Sequence, residues 1–121
     1  MPWIYNSSNG TLAHDGEVVT TGGWAGHDAG YNNPSMEMDH NIGPIPRGDW
    51  LIGDAVDSQH LGPVALPLVP QDGTETFGRG GFFIHGASVL HPDESSHGCI
   101  ILPRPVRMQI AASTDRILQV V

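Results

Sequence analysis

The sequence predicts a mainly β fold with one short helix near the C-terminus, and two observations support this expectation. Sixteen glycines and 10 prolines are spread over 121 residues, a frequency of chain punctuation that favours short strands joined by turns over a helical bundle. The apolar residues, 39% of the chain, fall mostly in short strand-like runs. The length is that of one domain, so we expect residues 1–121 to form a single domain.

The N-terminal part predicts consecutive hairpins. Residues 3–5 form a short predicted strand that returns over residues 11–13, because the Asn-Gly pair at residues 9–10 favours a hairpin turn. The Asp-Gly pair at residues 15–16 marks a second turn before a further strand at residues 17–21.

The middle of the chain predicts a long loop and then more strands. Residues 22–47 are dense in Gly, Asn, Pro and Asp without periodicity, and a loop this long in a small domain is usually functional. We expect it to form one wall of a cleft. Residues 43–49 predict a rigid double turn that leads into a strand at residues 50–53. Proline alternates with Val and Leu over residues 61–70, which suits an edge strand or an extended connection.

The C-terminal part predicts the helix and the last strands. Residues 82–85 form a predicted strand that ends at a histidine, and residues 100–102 continue as an apolar run. Residues 105–112 have helical spacing with a proline in the first turn. Residues 116–121 close the chain as a strand.

The charge balance excludes several classes of function. Thirteen acidic residues stand against five arginines and no lysine, a formal net charge of −8. Nucleic acid is therefore not an expected partner, since phosphate binding needs a basic patch. Schiff-base and P-loop chemistry need a lysine, so the sequence excludes both. No run approaches the ~20 apolar residues of a membrane span, so no membrane insertion is expected. The first residues lack signal-peptide features, which predicts synthesis in the cytoplasm without a signal peptide.

The single cysteine, Cys99, is the candidate nucleophile. It follows Gly98 and lies near two histidines, His85 and His97, and an adjacent imidazolium can lower a thiol pKa from about 8.5 toward neutrality. His85 ends a predicted strand and is the expected base, with the Gly86 carbonyl orienting its ring. The N–H groups of Gly98 and Cys99 are the expected donors to an oxyanion.

Two other interpretations of the cysteine remain open at this point. A lone cysteine is often a buried, inert side chain. Alternatively, His85, His91, His97 and Cys99 could form a zinc site, although the spacing lacks the usual paired ligand pattern, and we expect no metal. The remaining histidines are expected to be solvated: His14, His27, His40 and His60.

The histidine and cysteine motifs resemble a known family. Ile84-His85-Gly86 and Ser96-His97-Gly98-Cys99-Ile100 resemble the active site of L,D-transpeptidases of the YkuD family. Further segments resemble the small L,D-transpeptidase-like toxins delivered by bacterial type VI secretion, so the resemblance spans nearly the whole chain. These segments are Gly30-Tyr31-Asn32-Asn33-Pro34, Gly43-Pro44-Ile45-Pro46-Arg47-Gly48, His60-Leu61-Gly62-Pro63 and Phe77-Gly78-Arg79.

The resemblance implies a sandwich-like β fold with a cleft that ends at Cys99. It implies a peptidoglycan-modifying enzyme that attacks the stem tetrapeptide after its diamino acid, as an L,D-carboxypeptidase, an L,D-transpeptidase or both, without a cofactor. Carried over by motif, Cys99 is the nucleophile, His85 the base and Gly86 its orienter. Ser96 and His97 would shape the site, with Ser96 as a substrate-binding residue and His97 in the catalytic group, and Gly98 would contribute to the oxyanion hole. A toxin of this kind would act in the periplasm of a target cell and require a cognate immunity protein.

The substrate would carry a carboxylate, and few cations exist to bind it. Arg79, just before the strand of His85, is the preferred partner and Arg47 the second, with a surface salt bridge as the alternative for Arg79. Three residues of the long loop are expected to line the cleft: Trp24, Tyr31 and Asn32.

Two other functions are kept as alternatives. One is a different cell-wall cysteine amidase or endopeptidase. The other is a non-catalytic module that binds muropeptides or a partner protein.

Overall fold

The computed structural model describes residues 1–59, 61–88 and 96–121, and this part of the chain is mainly β with one α-helix, as expected. The helix, α1, is Arg104–Ala112. The ten strands are β1 (Trp3–Asn6), β2 (Thr11–His14), β3 (Glu17–Thr20), β4 (Trp24–Ala25), β5 (Gly48–Ile52), β6 (Val56–Ser58), β7 (Gly62–Pro70), β8 (Phe83–His85), β9 (Ile100–Ile101) and β10 (Ile117–Val120).

The strands follow one hydrogen-bonded path in the order β3-β2-β1-β10-β5-β7-β8-β9-β4, with β6 beside β7. The pairs β1–β10 and β8–β9 are parallel, and the other pairs are antiparallel. The long strand β7 is shared by both halves of this path, because Leu68 pairs with β5, Leu66 with β8 and Ala65 with β6.

Alternation of side chains explains why these segments form strands around a core. In β1, Trp3 and Tyr5 are buried while Ile4 between them is exposed, as the two-residue period of a strand requires. In β5, Trp50 is buried and its ring lies edge-on to Phe82, with the ring centroids 5.2 Å apart. Each large apolar side chain that is fully buried in this way contributes about 1.5–3 kcal/mol to the free energy of unfolding.

Both halves of the path bury side chains in one core. The first half provides Trp3, Tyr5 and Leu12, and the second provides Ile84 and Ile100 among others. The part of the core nearest β8 and β9 therefore supports the strand that ends at His85 and the strand that Cys99 immediately precedes.

The helix begins and ends close to its expected limits. Pro103 is the N-cap and Pro105 lies in the first turn, where a proline costs no hydrogen bond. Val106 and Ile110 are buried and lie one turn apart, so they form the face that packs against β7.

Two predictions for the strands were incomplete or wrong. The two-residue strand β4, inside the predicted loop, was missed, as was β6. Residues 61–70 were expected to form an edge strand or an extended connection, but Gly62–Pro70 form β7, which lies inside the path. Its prolines fit there because β7 changes neighbours along its length, and the Pro67 carbonyl still accepts the Gly53 N–H at 2.8 Å.

The rest of residues 22–47 is irregular, with two short 3₁₀ turns at Asp28–Gly30 and Pro34–Met36. Its backbone folds tightly on itself. A Cβ at Gly43 would lie 1.7 Å from the Met36 carbonyl oxygen, and a Cβ at Gly30 would lie 2.1 Å from the Ile42 carbonyl oxygen. Only glycine fits at such contacts.

Within the described ranges, no helix has the length and apolar character needed to span a membrane.

We expect Gly43→Ala to lower the free energy of unfolding by about 2 kcal/mol, because the added methyl group must displace backbone. Gly22→Ala is the matched control, since the nearest atom to its new Cβ is 3.9 Å away. It should change stability by less than about 0.5 kcal/mol. Urea denaturation followed by circular dichroism measures both, and equal losses would contradict the role of the Gly43 contact.

Candidate active site

The sequence motifs meet at one cavity of about 340 Å³. It brings together the cysteine, three histidines and one arginine, with a glycine-rich turn between them. None of its described lining residues is an aspartate or a glutamate. The lining residues are His40, Asn41, Leu61, Gly78, Arg79, Gly80, Gly81, Phe82, His85, His97 and Cys99.

Cys99 immediately precedes β9 and is held by the backbone on either side of Phe82. Its Sγ accepts the Phe83 N–H at 3.3 Å and lies 3.7 Å from the Gly81 carbonyl oxygen, to which the thiol donates. Burial raises the pKa of the Cys99 thiol, and the Phe83 N–H and the charge of Arg79 offset only part of this effect. The expectation of a thiol with a lowered pKa was therefore wrong, because desolvation outweighs the favourable contacts.

His85 is the last residue of β8, and its ring orientation matches the prediction. Its Nδ1–H donates to the Gly86 carbonyl oxygen at 2.9 Å, and since a carbonyl can only accept, Nε2 is left unprotonated in the neutral ring. Burial lowers the pKa of His85, the Gly86 bond partly opposes this, and the charge of Arg107 lowers it further. His85 is therefore a neutral imidazole with Nε2 available as a base.

The two groups thus form a neutral thiol and imidazole in one cavity. A neutral imidazole can act as a general base toward a neutral thiol, and in this structure the thiol itself donates to the Gly81 carbonyl oxygen. This arrangement suits general-base activation of a cysteine.

Ser96 holds the loop before the cysteine. Its fully buried hydroxyl accepts the N–H groups of Gly26 at 2.9 Å and Gly98 at 3.1 Å, and it donates to the Cys99 carbonyl oxygen at 2.5 Å. All of these partners are backbone groups. Ser96 therefore shapes the site, and its hydroxyl has no capacity left for the substrate contact predicted from the sequence.

Gly98 allows a close approach that no other residue permits. Its φ is +135°, and a Cβ there would lie 2.5 Å from Nη2 of Arg79. Its N–H donates to Ser96, so the predicted oxyanion role of that group is not available in this arrangement. The Cys99 N–H remains the predicted donor to an oxyanion.

Arg79 lies in the cavity wall, but not as the free carboxylate partner that was predicted. Nη1 donates to the carbonyl oxygens of Glu37, at 2.5 Å, and Pro44, at 2.9 Å. Nη2 donates to those of Gly43, at 2.9 Å, and His97, at 3.1 Å. All four terminal N–H groups are thus engaged, and a substrate carboxylate would have to displace the loops that they hold. The alternative of a surface salt bridge does not apply either, because Arg79 is only 9% exposed.

His97 and His40 complete the cavity wall. Nδ1 of His97 donates to the Asn41 carbonyl oxygen at 3.2 Å, and Nε2 of His40 donates to the Phe77 carbonyl oxygen at 3.0 Å. His40 was expected to be merely solvated. The residues around His40 in the sequence do not predict this position, because contacts with distant parts of the chain, such as the Phe77 carbonyl, bring His40 to the cavity.

The other predicted substrate-binding residues lie outside the cavity lining. The Trp24 and Tyr31 rings stack on each other with centroids 6.3 Å apart, and the Asn32 side chain accepts the Ala25 N–H at 3.1 Å. Arg47, the second candidate, pairs with the Glu37 carboxylate at 2.6 Å.

The zinc interpretation has no support from the described residues. The one group of described residues placed to hold a metal is His14, Asp15 and Asp115, which excludes His85, His97 and Cys99. His91 and His60 lie outside the described residues.

A protein-family model described as the Tlde1 domain matches residues 19–121. Among solved structures, an L,D-transpeptidase from Mycobacterium smegmatis is similar, with a TM-score of 0.52 at 20% sequence identity. The match covers 98% of this chain and 57% of that chain. No curated protein matches the chain by sequence.

We expect Ser96→Ala to lower the free energy of unfolding by about 1–3 kcal/mol, because the buried N–H groups of Gly26 and Gly98 and the Cys99 carbonyl lose their partner. Ser8→Ala is the control, since that exposed hydroxyl bonds only to the Asn6 side chain. Thermal unfolding of both variants checks the difference, and a Ser96→Ala protein as stable as Ser8→Ala would contradict the role of this hydroxyl.

Proposed function

Because the chain belongs to the Tlde1 domain family, the type VI L,D-transpeptidase effector family, we propose that it is a cysteine-dependent enzyme acting on peptidoglycan stem peptides. The observation that supports this best is the geometry at the cavity. Cys99 and His85 line the same space, and the Gly86 carbonyl fixes the tautomer that leaves Nε2 of His85 free to accept a proton.

The proposed first half-reaction forms a thioester. Cys99 Sγ attacks the carbonyl carbon of the diamino acid in the tetrapeptide, and the thiol proton passes to Nε2 of His85. The Cys99 N–H stabilises the oxyanion. The tetrahedral intermediate then collapses, the C–N bond breaks, and His85 returns the proton to the amine of the departing D-alanine.

The second half-reaction releases the peptide. Water or the amine of a D-amino acid attacks the thioester carbonyl while His85 takes the proton of the attacking group. The C–S bond breaks, and the proton restores the thiol. Water gives L,D-carboxypeptidase activity, and an amine gives exchange or transpeptidation. The mechanism uses only residues of the chain and needs no cofactor.

The biological setting is part of the same proposal. The family supports an antibacterial effector that acts on the peptidoglycan of a target cell in the periplasm. A producing cell would then hold an immunity protein, and the simplest inhibitor would cover the cavity at Cys99.

We expect the protein to remove one D-alanine from tetrapeptide muropeptides, or to exchange it for added D-methionine. Cys99→Ser, which keeps the shape of the side chain but is a far weaker nucleophile, should lose this activity by at least about 1,000-fold. Mass spectrometry of the products measures both reactions, and circular dichroism checks that the variant is folded. Tripeptide, tetrapeptide and cross-linked substrates that all stay unchanged with the wild-type protein would contradict this proposal and favour a binding module.

The pH dependence of kcat/KM should show that the active form has a neutral Cys99 thiol and a neutral His85 imidazole. Burial lowers the pKa of His85, so the acid limb should have its midpoint below about 6.5, the ordinary histidine value. Burial raises the pKa of Cys99, so the basic limb should lie above about 8.5. An acid limb at or above the ordinary histidine value would contradict the assignment of His85 as a buried neutral base.

A further inference from the structure

Arg79 carries a buried positive charge that no described carboxylate contacts. Its guanidinium is inside the cavity wall, and its terminal N–H groups meet four neutral carbonyl oxygens. Neutral carbonyls satisfy the hydrogen bonds of a guanidinium but leave its charge in place. Burying a charge away from water is costly without an opposite charge to balance it. The cavity therefore holds one unbalanced positive charge while the thiol is neutral.

The contacts of Arg79 place this charge close to the nucleophile. The guanidinium lies over the Phe82 ring, 5.1 Å from the centroid. It touches the peptide segment just before the cysteine, because Nη2 bonds the His97 carbonyl oxygen and leaves no room for a Cβ at Gly98. The Cys99 sulfur in turn accepts the N–H of Phe83, which is the next residue in the chain after Phe82.

We propose that Arg79 is a positioning residue that balances the negative charge on Cys99 Sγ when the thiol gives its proton to His85. In this step the S–H bond breaks, the electron pair stays on sulfur, and the proton binds Nε2 of His85. The inference rests on the proposed function, because it assigns a role within the same site. It replaces the substrate-carboxylate role that the sequence predicted for Arg79.

The other charged and titratable groups around this pair have identifiable positions. His85, His97 and His40 line the cavity with the sulfur. Arg107 lies against Gly86, because a Cβ on Gly86 would be 2.7 Å from Nη2 of Arg107. The positive charge of Arg107 lowers the pKa of His85.

Two described carboxylates influence Arg79 itself. They belong to Asp39, which is exposed, and to Glu37, whose carboxylate is bound to Arg47. Neither lines the cavity, so the Cys99 thiolate is the negative group best placed to balance Arg79.

The test is the pH dependence of Cys99 alkylation by iodoacetamide. In this reaction the thiolate attacks the CH₂ carbon and iodide leaves, so the rate follows the thiolate fraction. The comparison is between Arg79→Gln, which removes the positive charge, and Arg79→Lys, which keeps it. Both variants lose the set of hydrogen bonds to four carbonyl oxygens. We expect the midpoint for Arg79→Gln to rise by about one pH unit. The midpoint for Arg79→Lys should stay closer to that of the wild-type protein.

A purely structural role gives the opposite sign. If Arg79 only holds the loops, both substitutions loosen the wall and expose the thiol. The midpoint then falls toward the ordinary thiol value in both variants, and this result would overturn the proposal. Arg104→Gln is the control for net charge, because Arg104 is exposed on α1. A rise in the alkylation midpoint of Arg104→Gln equal to that of Arg79→Gln would also overturn the proposal.

A further variant keeps the test decisive if the Arg79 substitutions do not fold. Asp39→Asn leaves every contact of Arg79 in place and removes an exposed opposing charge, so the midpoint should fall while the unfolding temperature stays the same. A midpoint that does not fall would count against the proposal. Alkylation needs no peptidoglycan, so the result is independent of whether the proposed substrate is correct.

Discussion

Hydrogen bonds from arginines to backbone carbonyls are the interaction on which the irregular part of this molecule depends. Arg79, Arg107 and Arg116 each donate to at least three carbonyl oxygens in loops or at the ends of elements. A chain this rich in turns leaves many carbonyls without a partner in a sheet, and buried carbonyls need donors. The planar guanidinium offers five donors in a fixed fork, which a lysine cannot match. A sequence with five arginines and no lysine is consistent with this use.

Two of these arginines also set the electrostatics of the cysteine and the histidine. Arg79 favours the charged form of Cys99, whereas Arg107 disfavours the charged form of His85. Burial keeps both reacting groups neutral at rest. In the proposed reaction, Arg79 would assist deprotonation of the sulfur, and Arg107 would help His85 to return the proton to the leaving amine. Two of the residues that hold the loops are in this way also the residues whose charges act on Cys99 and His85.

The sequence was sufficient where the relevant signal is local. The hairpin turns, the alternation in β1 and β5, the helix after Pro103, and the orientation of His85 by Gly86 all follow from neighbouring residues. Prediction failed where long-range contacts decide the outcome. His40 reaches the cavity only because the loop folds back, the hydroxyl of Ser96 is used up by distant backbone, and Arg79 is enclosed by carbonyls from three segments. The pKa of Cys99 depends on burial, which no motif reveals.

The sharing of β7 between the two halves of the sheet has a consequence for motion. Local opening of a protein follows units whose hydrogen bonds can break together. Here Leu66 and Leu68, two positions apart, pair in register with Ile84 of the histidine's strand and with Ile52 of β5, respectively. Detaching the β8–β9 side would also disturb β5, so the two halves have no seam along which to part. We therefore expect amide hydrogen exchange in the strands around the cavity to require global unfolding, and local fluctuations to be confined to the loops.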